Sequence, residues 1–176
     1  MNDEANLPLV ENEMFREDRR GIVQRYRLDM PVLPYEVSRP IEVTARSPLN
    51  LRKAVEVYGR AIKHECHYDF PLADAKNFNT QHAWLLPHPR VHRVSFVTAG
   101  VVSFLAYPDG WELFWMYVHP FARGCGAIER YWPAFVAAYE PFTVQHPISP
   151  AGRALLNHLE WRGALRGGVE EENGED

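Results

Sequence analysis

Cysteine, lysine and long apolar runs are scarce in this chain. Cys66 and Cys125 are its only two cysteines, so no framework of disulfides can staple it, a usage that suits a reducing, cytoplasmic setting. No stretch approaches the roughly 20 consecutive apolar residues that a membrane-crossing helix needs. The opening MNDEANLPLVENEM is polar and acidic, without the basic region and apolar stretch of a secretory leader, so no membrane partner is expected. Lysine is confined to Lys53, Lys63 and Lys76. The other positive charges are arginines, whose planar fork suits phosphate groups, although codon bias produces the same usage. Net charge is −4, but five acids crowd the end at Glu170, Glu171, Glu172, Glu175 and Asp176. The body is therefore near neutral, which argues against nucleic acid as a partner, since such binding is driven by phosphate neutralisation. No internal repeat is visible.

What is present suits one compact domain of 176 residues, 46% of them hydrophobic. Residues 1–20 are polar and read as a flexible segment, residues 21–166 as the domain, and residues 167–176 as a flexible acidic tail. Pro31, Pro34, Pro40 and Pro48 break the early part into extended pieces, among which Ile41–Thr44 alternates as a first strand. Ser47-Pro48 has the form of a helix start, Ser as N-cap and Pro in the first turn. The helix that follows places Leu51, Ala54, Val55, Tyr58, Ala61 and Ile62 on one face. Residues 66–90, rich in His, Pro and Asn, read as loop with one short helix. Arg93–Thr98 and Val101–Tyr107 read as strands flanking Thr98-Ala99-Gly100. Pro108-Asp109-Gly110 is a strong turn into a third strand, Trp111–Val118. A helix is expected after Gly126, interrupted by Pro133. Phe142–His146 is a short strand, and Ser149-Pro150 opens a last helix.

Meandering strands followed by alternation with helices predict an α/β (α+β) fold: a mixed, mostly antiparallel sheet with helices on both faces. Within it, Arg123-Gly124-Cys125-Gly126 lies between an apolar strand and a helix start. Free backbone N–H groups at such a junction make it a place to hold phosphate.

Val118-x-Pro120-x-x-Arg123-Gly124-x-Gly126, the hairpins feeding the strand before it, and Ser149-Pro150-Ala151 opening a helix after a short strand together resemble the GCN5-related N-acetyltransferase (GNAT) superfamily. The resemblance covers about Ile41 to Trp161. It implies acetyl-CoA as co-substrate and an amine acceptor, either a small molecule or a protein. It implies that Arg123, Gly124, Cys125, Gly126 and Ala127 hold the pyrophosphate. It also implies that the strand splays at Met116 to Val118, freeing backbone groups for the pantetheine arm. Two positions depart from the pattern: Ile128 stands where the family's loop ends in Gly or Ala, and Leu156 where many members carry a proton-donating Tyr.

Acetyl transfer to an amine needs a base for the amine and an acid for the leaving thiolate. Glu112 is the candidate base. It lies six residues before Val118, which on a regular strand puts both side chains on one face, and the family's histone-acetyltransferase branch has its catalytic Glu at this spacing. The ordinary pKa of a histidine, near neutrality, makes His119, just past the strand, and His146, at the end of the next, candidates for proton transfer. His158 on the last helix reads as packing. Cys125 is weighed as an acyl-accepting thiol but reads as a backbone donor. His67, Tyr68 and Asp69 follow the first helix, where the family builds its acceptor site, and are the candidate substrate residues. His64-Glu65-Cys66-His67 has the residue types of a metal site, with His82, His88 and His92 downstream, but not the spacing, so no metal is expected. Two further readings remain open: a DNA-base-modifying protein of the phage type on the same fold, for which CHYDFP at 66–71 is the only hint, and a non-catalytic acyl-CoA-binding or interaction module. A homodimer is also left open.

Overall fold

The computed structural model describes residues 9–10, 13–17, 23–27, 30–66, 72–88, 97–146, 148–161 and 165–166. In chain order the elements are β1 (Leu9–Val10), β2 (Glu13–Glu17), β3 (Val23–Arg27), β4 (Met30–Pro31), β5 (Ile41–Val43), α1 (Leu49–Cys66), β6 (Gln81–Pro87), β7 (Thr98–Tyr107), β8 (Gly110–Val118), a 3-10 turn at Pro120–Ala122, α2 (Trp132–Tyr139), β9 (Phe142–Gln145), α3 (Pro150–His158) and β10 (Leu165–Arg166). β1 pairs with β4 and β2 with β3, both antiparallel. The remaining strands form one six-stranded sheet in the order β10-β9-β8-β7-β6-β5. It is antiparallel from β5 to β8 and parallel at β8/β9 and β9/β10.

A helix lies on each side of this sheet. The apolar face of α1, from Leu51 to Ile62, is buried as its spacing predicts, and packs with Ala83, Leu85, Val101, Trp115 and Tyr117. Lys63 and His64 occupy its last turn, where the helix dipole favours positive charge. At its start the Ser47 hydroxyl accepts from the Thr44 backbone N–H behind it, and the first helical bonds run from Leu51 and Arg52 to the Pro48 carbonyl. The opposite face carries Leu86, Val102, Phe104 and Leu113 against Trp132, Phe135 and Tyr139 of α2 and Leu156 of α3. Ser149 caps α3 as expected, its hydroxyl accepting from the Gly152 N–H at 3.1 Å.

Three expectations are corrected. Residues 81–87 are not loop but strand β6, a central member of the sheet. Both faces of β6 are covered, so no polar/apolar alternation marks it. Second, Thr98-Ala99-Gly100 is not a turn. It begins β7, which runs unbroken to Tyr107, while residues 93–96 lie outside the described residues. Gly100 is there for closeness: a Cβ would sit 2.2 Å from the Tyr117 carbonyl oxygen of β8. Third, the helix expected after Gly126 starts only at Trp132, so Pro133 opens it rather than interrupts it.

Candidate functional site

The β8/β9 ladder is brief. Trp111 faces Phe142, Glu112 faces Thr143 and Leu113 faces Val144, after which β8 continues to Val118 with no β9 partner among the described residues. Into this wedge opens a cleft of about 860 Å³, toward the large end of small-ligand sites. Its walls are the end of α1, the unpaired edge of β8, the loop from Ala122 to Glu129, the end of β9 and the first turns of α3.

The loop is anchored at its start. The His119 backbone N–H donates to the Ala99 carbonyl at 2.8 Å, and the His119 Nδ1 accepts from the Phe121 N–H at 3.3 Å. Gly124 and Gly126 have φ of 66° and 71°, the left-handed region that disfavours side chains. Beyond them the Arg130 N–H donates to the Gly126 carbonyl, closing one helical turn. No backbone N–H from Gly124 to Glu129 donates to an acceptor among the described residues, and all of these residues except Cys125 line the cleft. Successive N–H groups of this kind form a concavity suited to an anion. Because α2 begins at Trp132, its dipole is not aimed at the loop; the available donors are the loop's own amides.

Arg123 is held in place by its neighbours. Its guanidinium makes two parallel bonds to the Glu65 carboxylate, Nη1 to Oε1 at 2.7 Å and Nη2 to Oε2 at 2.8 Å, and its Nε donates to the Val118 carbonyl at 2.9 Å. The Tyr117 hydroxyl donates to the same carboxylate at 2.9 Å, and the guanidinium lies over the Tyr117 ring. Burial pushes the Glu65 carboxyl up, but bonds from Arg123 and Tyr117, with the Arg123 charge, outweigh it and hold it below the usual carboxylate range. Burial and then the Glu65 charge push the Tyr117 phenol well above its ordinary value. Arg123 thus clips the loop to β8 and to the end of α1, and its charge is matched locally.

The fate of Glu112 turns on a bulge. Leu113 is opposite Phe104 and Trp115 is opposite Ser103, so Phe114 is an extra residue in β8. It reverses the alternation. Leu113 faces the side of α2 and α3, as do Met116 and Val118 beyond the bulge. Glu112, opposite Leu105, falls on the α1 side of the sheet. The even spacing that put Glu112 and Val118 on one face is therefore overturned, and Glu112 is buried outside the cleft lining.

Of the other candidates, Met116, Val118, Arg123, Gly124, Gly126 and Ala127 line the cleft together, and His146 joins them from the end of β9. His119 is fully buried beneath the loop. The Cys125 thiol turns toward the Arg123 carbonyl, 3.4 Å away. His158 is exposed on α3 rather than packed. His67, Tyr68 and Asp69 lie outside the described residues, as does His92. Among the described residues no cluster of three His, Cys, Asp or Glu side chains could hold a metal ion, and no helix is long and apolar enough to cross a membrane. Ile128 and Leu156 are both buried and both face the cleft. Glu65, Tyr117 and the apolar wall on the α1 side were not singled out by sequence reasoning. Their partners lie far along the chain, Arg123 being 58 residues from Glu65, and no local pattern links them. No family model matches the chain, and no curated protein matches it.

Proposed function

We propose that the protein is an acyltransferase that takes a CoA thioester, acetyl-CoA being the simplest, and acylates an amine. The observation that carries this reading is the row of uncommitted N–H groups from Gly124 to Glu129 at the head of a gap between two parallel strands. Amides of this kind suit a pyrophosphate. The unpaired edge of β8 from Phe114 to Val118 suits the amide-bearing pantetheine arm, which can add to it as a strand would. This is the arrangement that the resemblance to the GNAT superfamily implies.

In the reaction the amine nitrogen attacks the thioester carbonyl carbon. The C–N bond forms, the C–S bond breaks, the amine loses a proton and the thiolate gains one. His146 is the one sequence-selected proton carrier that borders the cleft, and we assign it the proton transfer. A second reading, binding without transfer, draws on one feature: Leu156, where the resemblance expects a proton-donating Tyr, presents only hydrocarbon to the cleft.

Calorimetric titration with CoA and acetyl-CoA, paired with an assay for thiol release over a panel of amines, tests both. Binding with turnover supports the acyltransferase, and binding without turnover favours the second reading. Absence of binding up to millimolar concentration sinks both. His146→Ala is expected to leave CoA affinity within about threefold while lowering turnover by about a hundredfold or more, the range for loss of a general acid or base.

A further inference from the structure

The cleft does not stop at the strand gap. Met116, Val118 and Leu156 line it on the side of α2 and α3, whereas Ile62, Leu72, Phe114 and Trp115 line it on the α1 side. It therefore passes beyond the plane of the sheet, by way of the unpaired edge of β8. Ile62, Leu72 and Trp115 are buried in the α1-side core yet border this space. The Trp115, Glu65 and Tyr117 side chains of this wall spend their polar groups on protein partners. The Trp115 indole N–H donates to the Leu72 carbonyl at 2.9 Å. The Glu65 carboxylate accepts from both Arg123 nitrogens and from the Tyr117 hydroxyl.

A wall of this composition gains nothing from a charged amine. Nor is it filled by acetyl, whose two carbons cannot cover a wall made of Ile62, Leu72, Phe114 and Trp115. It gains from hydrocarbon, which removes its apolar surface from water at no polar cost. Resting on the acyltransferase reading, we infer that the donor is a CoA thioester whose acyl group is a medium-length hydrocarbon chain, lodged on the α1 side among Ile62, Leu72, Phe114 and Trp115. The amine then approaches from elsewhere, and chain length sets donor specificity.

The test is a calorimetric series with the full chain: CoA, acetyl-CoA, butyryl-CoA, hexanoyl-CoA and octanoyl-CoA, all below their micelle concentrations. Affinity is expected to rise by roughly twofold to fourfold per methylene until the pocket is full. Ile62→Trp, which fills the α1 side, is expected to erase that rise, while the wild-type series stands as the test should the variant fail to fold. An equal affinity for acetyl-CoA and octanoyl-CoA, with CoA itself binding, overturns the inference and leaves the acyltransferase reading intact. No binding of CoA or any thioester overturns both. A rise with chain length that Ile62→Trp leaves unchanged, the variant being folded, overturns the assignment of the chain to the α1 side.

Discussion

At the scale of single residues, the informative group is Arg123. Its place in Arg123-Gly124-Cys125-Gly126 marked it as a phosphate ligand, and the position does border the cleft. What the sequence could not show was Glu65, sitting in a His-Glu-Cys-His run with the composition of a metal site. The two readings of Arg123 differ in a measurable way. Were Arg123 a direct phosphate ligand, Glu65→Gln would free it and tighten CoA binding. As a clip on the loop, Glu65→Gln and Arg123→Ala are both expected to weaken CoA binding, by about fivefold each, or about 1 kcal/mol. A double-mutant cycle on folding stability should give a coupling of about 1 kcal/mol, modest because the pair is partly exposed. The pH dependence has a fixed sign. Because the Glu65 pKa is lowered in the folded state, its contribution is present above the unfolded value near 4.5 and is lost as pH falls through the folded value. Urea titrations of wild type and Glu65→Gln should therefore differ at pH 7 and converge in acid. Tyr139 works in the opposite direction. Burial pushes its phenol up to about 12, and its oxygen accepts from the Trp84 indole N–H at 2.8 Å. Its contribution is present below pH 10 and is lost as pH rises through about 12. Tyr139→Phe is expected to cost about 1–2 kcal/mol at neutral pH and to lose less stability than wild type above pH 10.

At the scale of elements, amphipathic patterns were legible and two-sided burial was not. The face of α1 and the Ser149 start of α3 are written in periodicity and capping chemistry, which depend on neighbours in sequence. β6 is covered on both faces and carries His, Gln and Pro, so neither alternation nor composition distinguishes it from loop. The bulge at Phe114 was also invisible, because Leu113, Phe114, Trp115, Met116 and Tyr117 are all apolar and give no sign of a change in phase. That hidden phase change is why an even residue count placed Glu112 on the wrong face. Gly100 was legible as a special position but for the wrong reason: it permits contact between backbones rather than a turn. Gly100→Ala would place a Cβ 2.2 Å from the Tyr117 oxygen and 3.0 Å from the Val118 Cα, both of them backbone. Neither can rotate away, so β7 and β8 must separate. We expect a loss of about 2–3 kcal/mol in denaturant unfolding. The accompanying shift of Tyr117 should also weaken its bond to Glu65. A loss below about 0.5 kcal/mol would mean that the two strands separate there at little cost.

At the scale of the whole molecule, the sheet divides the interior into two cores, one under α1 and one under α2 and α3. The cleft borders both. A ligand seated in it is expected to stabilise the fold as a unit, so that the two cores melt in one transition displaced upward. At a concentration 100 times its dissociation constant, a ligand that binds only the folded state adds about 2.7 kcal/mol. For a chain of this size, that corresponds to a rise of about 5–10 °C in Tm. The charge balance adds a second expectation. The lining holds Arg123, Glu65 and Glu129, and Arg123 is matched by Glu65. Among the described residues no unmatched Arg or Lys borders the cleft, so under the proposed function an anion there is expected to be held by backbone N–H groups. Dipoles at hydrogen-bonding distance are screened far less than side-chain charges acting through solvent. CoA affinity is therefore expected to fall by less than about threefold as added salt shortens the screening length from roughly 30 Å to 8 Å. Thermal melts with CoA at a series of salt concentrations read both quantities at once. A steep loss of the CoA-induced rise with salt would show that cationic side chains, rather than the Gly124–Glu129 amides, carry the phosphate contact.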